Sequence, residues 1–209
     1  MPNDYIHPSI KAPLLPVVNQ LLEDLRYMGI LKKYGSFCLF ISSLVRDILR
    51  QQGFHAEITS CLVRIENQQQ HFLLGDKKYA APDQLATHVI CIIDDSVLID
   101  LGLGNVHKTF DPNFFQAIVL PFQGQAEVFS YARFGEDHQM FYLREPQIVP
   151  LDEHLATQQP LLDNTLMEYQ RYCKNRFRFS LARALRSLGA QQRRPSQPLT
   201  RSFDDTWCH

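Results

Sequence analysis

The sequence predicts an α+β fold: N-terminal helices, then an antiparallel β-sheet, then a closing amphipathic helix. Three observations carry this. Apolar residues recur at helical spacing over 14–28 and 37–52. The period then changes to short β-branched runs over 54–66, 87–93, 96–101, 115–122, 126–133 and 139–144. Helical spacing returns over 162–189. Grouped helices followed by grouped strands argue for α+β rather than a doubly wound parallel sheet.

In the first helix, Leu14, Val18, Leu21, Leu22 and Leu25 form one apolar stripe. Pro16 suits its first turn and Gly29 its C′ position. In the second, Phe37, Phe40, Ile41, Leu44, Val45 and Ile48 form the buried face. Ser36 is its expected N-cap and Gly53 its end, with Arg46, Asp47 and Arg50 facing outward. The stretch from Asn67 to Asp83 reads as a polar loop. The runs 87–93 and 96–101 flank Asp94-Asp95, which predicts a hairpin. If the turn centres on Asp94, His88 stands directly opposite Asp100. Gly102 and Gly104 then end the second strand. For the last helix, Thr165 and Glu168 suggest a capping box and Gly189 a terminus.

At 209 residues, with 45% hydrophobic and 21% charged side chains, the chain can bury a sizeable core. There is no run of 18 apolar residues and no basic segment followed by an apolar one. The five cysteines are scattered, odd in number and without a Cys-x-x-Cys pair, so neither a disulfide framework nor a zinc site is expected. These features predict a cytoplasmic protein without a bound metal.

The near-neutral total charge hides a division. Residues 1–168 hold 12 basic and 20 acidic side chains, and residues 169–209 hold 9 basic and 2 acidic. The expected organisation is a catalytic domain over 1–160, a basic amphipathic helix over 161–190 packed on it, and a flexible tail over 191–209. The arginines of that helix also suit an anionic membrane surface, whereas nucleic acid is the less favoured partner.

Candidate chemistry starts at Cys38, at the head of an apolar helix. A helix N-terminus offers unpaired N–H groups and the positive end of the dipole, which favour a thiolate and can receive an oxyanion. His88 and Asp100 each interrupt an apolar strand, where an unpartnered polar group is costly. If they satisfy each other, Cys38, His88 and Asp100 become a nucleophile, a general base and an orienting carboxylate. Tyr34, Phe37 and Phe40 are expected to line a pocket beside Cys38, with His107 as a further substrate-binding candidate.

Four segments carry a resemblance: Gly35-Ser-Phe-Cys38, Leu49-Arg-Gln-Gln-Gly53-Phe-His-Ala56, Thr87-His88-Val89, and Ile99-Asp100-Leu-Gly-Leu-Gly104. Their order resembles the transglutaminase-like, papain-related superfamily, and within it the arylamine N-acetyltransferases. The resemblance implies a Cys-His-Asp acyltransferase forming an acyl-cysteine thioester, with acyl-CoA or another acyl thioester as co-substrate and a small molecule or peptide as acyl donor and acceptor. Two alternatives stand beside it. One is a cysteine amidase, peptidase or transglutaminase-type hydrolase. The other is a non-catalytic interaction protein that uses the basic C-terminal helix.

Overall fold

A computed structural model describes residues 4–68, 70–76, 85–124, 126–135, 138–145 and 149–191, with side chains of the last helix through Arg176. The chain is mixed α and β, as the period changes predict. It divides into two compact units, Met1–Glu168 and Tyr169–His209, at the position where the charge changes sign.

In the first unit, β1 (Asp4–Ile6) precedes α1 (Leu14–Tyr27), a short α2 (Ile30–Tyr34) and α3 (Cys38–Gln51). Then come β2 (Ala56–Glu66), β3 (His71–Leu74), β4 (His88–Ile93) and β5 (Val97–Asp100). They are followed by α4 (Gly104–Thr109), β6 (Ala117–Pro121), β7 (Val128–Phe134), β8 (His138–Arg144) and α5 (Leu151–Gln191). The sheet runs β1-β6-β5-β4-β2-β8-β7, with β3 also on β2. All pairs are antiparallel except β1 with β6.

Although β1 and β7 are the two ends of that order, the Tyr5 and Phe134 ring centroids lie 4.7 Å apart. The sheet is therefore curled until its edges meet. Its concave face packs the main apolar cluster, including Val63, Ile65, Ile90, Leu98, Ile118 and Met140. α3 packs on β4, where Ser42 Oγ donates to the Val89 carbonyl at 2.8 Å. β4 is buried along its whole length, which accounts for its unbroken apolar run and makes any polar residue in it expensive.

The structure corrects several expectations. The 94–96 hairpin loop holds one residue more than a two-residue turn. Asp94 and Asp95 both have positive φ, 48° and 50°, and Ser96 N–H closes a type I′ turn on the Ile93 carbonyl at 3.0 Å. The three-residue loop is centred on Asp95 rather than on Asp94, and the register becomes Cys91 to Ile99 and Ile93 to Val97. This displaces the expected pairing by two positions, so His88 and Asp100 are diagonal rather than directly opposite. A shift of two preserves the face, because side chains alternate with period two.

Ser36 does not cap α3. The cap residue is Phe37, without a side-chain cap bond, and Ser36 Oγ instead accepts from Lys108 Nζ at 3.0 Å. The 67–83 stretch contains β3, and β1, α2 and α4 had no sequence expectation because each is six residues or shorter. The last helix starts at Leu151 and passes through Pro160. Thr165 therefore lies inside it and bonds back to the Leu161 carbonyl at 2.8 Å rather than opening a capping box, and Gly189 is helical. The tail expected from residue 191 lies beyond the described residues, apart from Gln191 itself. No helix among the described residues is long and apolar enough to cross a membrane.

Candidate active site

The end of the sheet where β4 begins and β5 finishes is met by the first residue of α3. This brings together residues 38, 88 and 100. His88 is 2% exposed and Asp100 0%. The His88 Nε2–H donates to Asp100 Oδ2 at 2.9 Å. The Cys38 thiol is half-buried and close enough to the imidazole to act on its charge. With Nε2 taken by Asp100, Nδ1 is the nitrogen left for sulfur. Cys38 Sγ also lies 4.0 Å from the Thr87 carbonyl oxygen.

Two groups that sequence reasoning missed complete the carboxylate's environment. Tyr142 O–H donates to Asp100 Oδ2 at 2.9 Å, and Gly102 N–H donates to Asp100 Oδ1 at 2.8 Å. Asp100 thus receives three hydrogen bonds in a site without solvent, which is what a buried carboxylate requires. Tyr142 belongs to the concave face beside Met140, and a phenol at an inward strand position needs an acceptor. That alternation was the only available signal for it.

Gly102 reads from sequence as a strand terminator. Its function is space. Continuing the β4–β5 register places it opposite His88, and a Cβ there would lie 2.7 Å from Cys38 Cβ and 2.9 Å from His88 Cε1. Gly104 is equally constrained, since a Cβ would lie 2.5 Å from Ser36 Oγ. Its N–H donates to the Gly35 carbonyl at 2.8 Å and so ties α4 to the segment leading into Cys38. Replacing Gly102 with Ala is expected to force sulfur and imidazole apart, at a cost of about 1–3 kcal/mol. Urea unfolding would read the stability loss. Mass-mapped alkylation would show Cys38 falling in reactivity by about tenfold or more.

Burial alone would push His88 down. The charge and hydrogen bond of Asp100, with Cys38 adding to them, outweigh it and raise the imidazole from 6.5 to about 10. The resting ring is therefore an imidazolium at neutral pH. A basic group raised on folding contributes stability that is complete below its unfolded value and disappears as pH climbs through its folded value. The stability gap between wild type and His88→Gln should hence be full below pH 6.5 and vanish on passing pH 10. Denaturation midpoints across that range should record a change of about 2–5 kcal/mol.

The other sulfurs are differently placed. Cys61 and Cys91 are buried, and burial pushes Cys61 well up and Cys91 up to about 12. Both are core thiols, as buried cysteines usually are. Cys173 is exposed. Burial, then Asp100, also raises the Tyr142 hydroxyl well above its ordinary range and keeps it a neutral donor.

The substrate-binding candidates divide. Tyr34 and Phe37 lie with ring centroids 6.5 Å apart, and Phe37, next to Cys38 in the chain, is 59% exposed. Phe40 is buried under Tyr34 at 4.4 Å and is a core residue. His107 is held by the Pro112 and Phe115 carbonyls at 3.2 and 3.1 Å and braces the loop after α4. A cavity of about 390 Å³ among the described residues lies elsewhere, with Tyr5, Phe115 and Phe134 in its lining. Cys38 itself is half-buried, and its chain neighbour Phe37 is exposed. Among the described residues no cluster of three His, Cys, Asp or Glu side chains could hold a metal.

The chain matches no family model, no curated protein and no solved structure.

Proposed function

We propose that the protein is a cysteine-dependent acyl-transfer enzyme acting through Cys38, His88 and Asp100. The observation that supports it best is the buried carboxylate–imidazole pair ending on a half-buried thiol. A carboxylate fixes the ring, the ring faces sulfur, and sulfur has access to solvent. At neutral pH the His88 ring carries a proton on Nδ1 as well as on Nε2. The Cys38 sulfur attacks the carbonyl carbon of an acyl donor and forms a carbon–sulfur bond. The Nδ1 proton passes to the leaving group as its bond to the acyl carbon breaks. A nucleophile, water or an amine, then gives its proton to Nδ1 and attacks the thioester, and the carbon–sulfur bond breaks to restore the thiolate.

The first intrahelical bond of α3 runs from Ile41 N–H to the Phe37 carbonyl. The amides of Cys38, Leu39 and Phe40 precede it, so the start of the helix offers donors to the oxyanion that forms in each step. Tyr34 and Phe37 give the acyl group or its carrier an aromatic surface. Asp100, held by Tyr142 and Gly102, offsets the imidazolium charge.

Intact-mass analysis after incubation with acyl-CoA, simple acyl thioesters and activated peptides tests this reading. The expected result is one acyl increment that maps to Cys38 and is absent in Cys38→Ala. Discharge by added amine, against discharge by water alone, separates transferase from hydrolase. Failure of every donor class, or equal modification of Cys38 and Cys173, would overturn it.

A further inference from the structure

We propose, resting on the acyl-transfer reading above, that Thr87 is a positioning residue for the His88–Cys38 pair and that Glu145 is its partner in that role.

The β2–β4 ladder ends at the pair Cys61–His88. Thr87 is thus the first residue beyond the strand, yet it is only 3% exposed. Its hydroxyl takes over where the ladder stops. The single proton has three acceptors, each at 3.2 Å: the Cys61 carbonyl on β2, the His88 carbonyl, and Glu145 Oε2. Glu145 is half-buried and follows directly on the last residue of β8. One side chain therefore joins the start of β4 to its neighbour β2 and to the end of β8 beyond it. Valine matches threonine in shape, so packing alone does not call for a hydroxyl at this buried position, where it must find partners.

The group being held is the peptide between Thr87 and His88. Its carbonyl oxygen lies 4.0 Å from Cys38 Sγ. The backbone just after β3 abuts the same peptide: a Cβ on Gly75 would lie 2.5 Å from His88 N and 3.0 Å from the Thr87 carbonyl carbon. The imidazole hangs from the Cα that this peptide carries, and Asp100 fixes its Nε2. With that end fixed, any shift of the peptide moves Nδ1 relative to sulfur. A displacement of about 1 Å can cost a reacting pair about a hundredfold in rate.

Iodoacetamide labelling of the full chain, mapped by mass spectrometry, tests the proposal. Exposed Cys173 supplies the reference rate, and buried Cys61 and Cys91 report whether a variant keeps its core closed. Thr87→Val should slow Cys38 by about tenfold or more, whereas Thr87→Ser, which restores the hydroxyl, should label like the wild type. Glu145→Ala removes one acceptor without touching β4 and should also slow Cys38, by less. In a His88→Ala background, Thr87→Val should add no further loss, because it acts through the imidazole. An unchanged Cys38 rate in Thr87→Val would overturn the positioning role, as would equal losses in Thr87→Val and Thr87→Ser, or a full additional loss on top of His88→Ala. Where Thr87→Val opens Cys61 and Cys91 to label, an unchanged rate in Glu145→Ala overturns it instead. A wild-type Cys38 no faster than Cys173 would overturn the acyl-transfer reading and this inference together, whereas a fast Cys38 that ignores Thr87 would overturn this inference alone.

Discussion

Replacing His88 with Ala should reduce Cys38 to an ordinary thiol. In the wild type, iodoacetamide at mildly acidic pH is expected to label Cys38 first and Cys173 slowly. Cys61 and Cys91 are protected by burial. Cys173 is exposed and supplies the reference rate in the same sample. The imidazolium beside Cys38 offers a positive charge and a proton to the sulfur as it reacts. Without it, the rate at Cys38 should fall by about a hundredfold, to the level of Cys173. Peptide mapping by mass spectrometry reads these four sites among the five cysteines. Unchanged labelling of Cys38 in His88→Ala would mean that the helix N-terminus alone activates it.

The second large effect is on stability. Asp100→Ala removes the acceptor of three hydrogen bonds at once, from His88, Tyr142 and Gly102. The imidazolium would be left without a counter-ion at a 2% exposed position. Breaking such a buried pair costs about 3–5 kcal/mol. Urea unfolding should show a lower midpoint with an unchanged slope. Asp100→Asn retains the shape and an acceptor for Tyr142, so it should cost less stability yet still lose the reactivity of Cys38. That divergence separates the carboxylate's charge from its packing. A loss below about 1 kcal/mol in Asp100→Ala would show that the three donors find other partners.

How much of this was legible in the sequence follows from where the information resides. α1 and α3 are long and strongly periodic, and their observed bounds lie within a residue of the expected ones. His88 and Asp100 stood out because each is polar inside an apolar strand, an anomaly that local pattern displays. The hairpin register was not legible. Asp94-Asp95 marks a turn in the sequence, but nothing there shows that the loop takes in Ser96 and centres on Asp95 rather than Asp94. The prediction survived because the error was two residues rather than one.

Tyr142 comes to Asp100 from 42 positions away, from β8 across β2 and β4, and only the sheet order brings it there. The need for Gly102 is likewise tertiary: the forbidden Cβ conflicts with atoms of Cys38 and His88, not with its chain neighbours. Phe40 shows the converse. Helical spacing placed it near Cys38, but spacing cannot separate a pocket lining from the core beneath it, and burial put it in the core.

The charge state of one ring is the most direct test of the relay. Nitrogen-15 NMR of histidine-labelled protein, assigned by comparison with His88→Gln, reports whether each ring nitrogen of His88 carries a proton. Both Nδ1 and Nε2 should be protonated at neutral pH and remain so until close to pH 10, and Cys38→Ala should shift that titration downward. A neutral ring at neutral pH, titrating near 6.5 and indifferent to Cys38, would contradict the coupling of sulfur, imidazole and carboxylate on which the enzymatic reading depends.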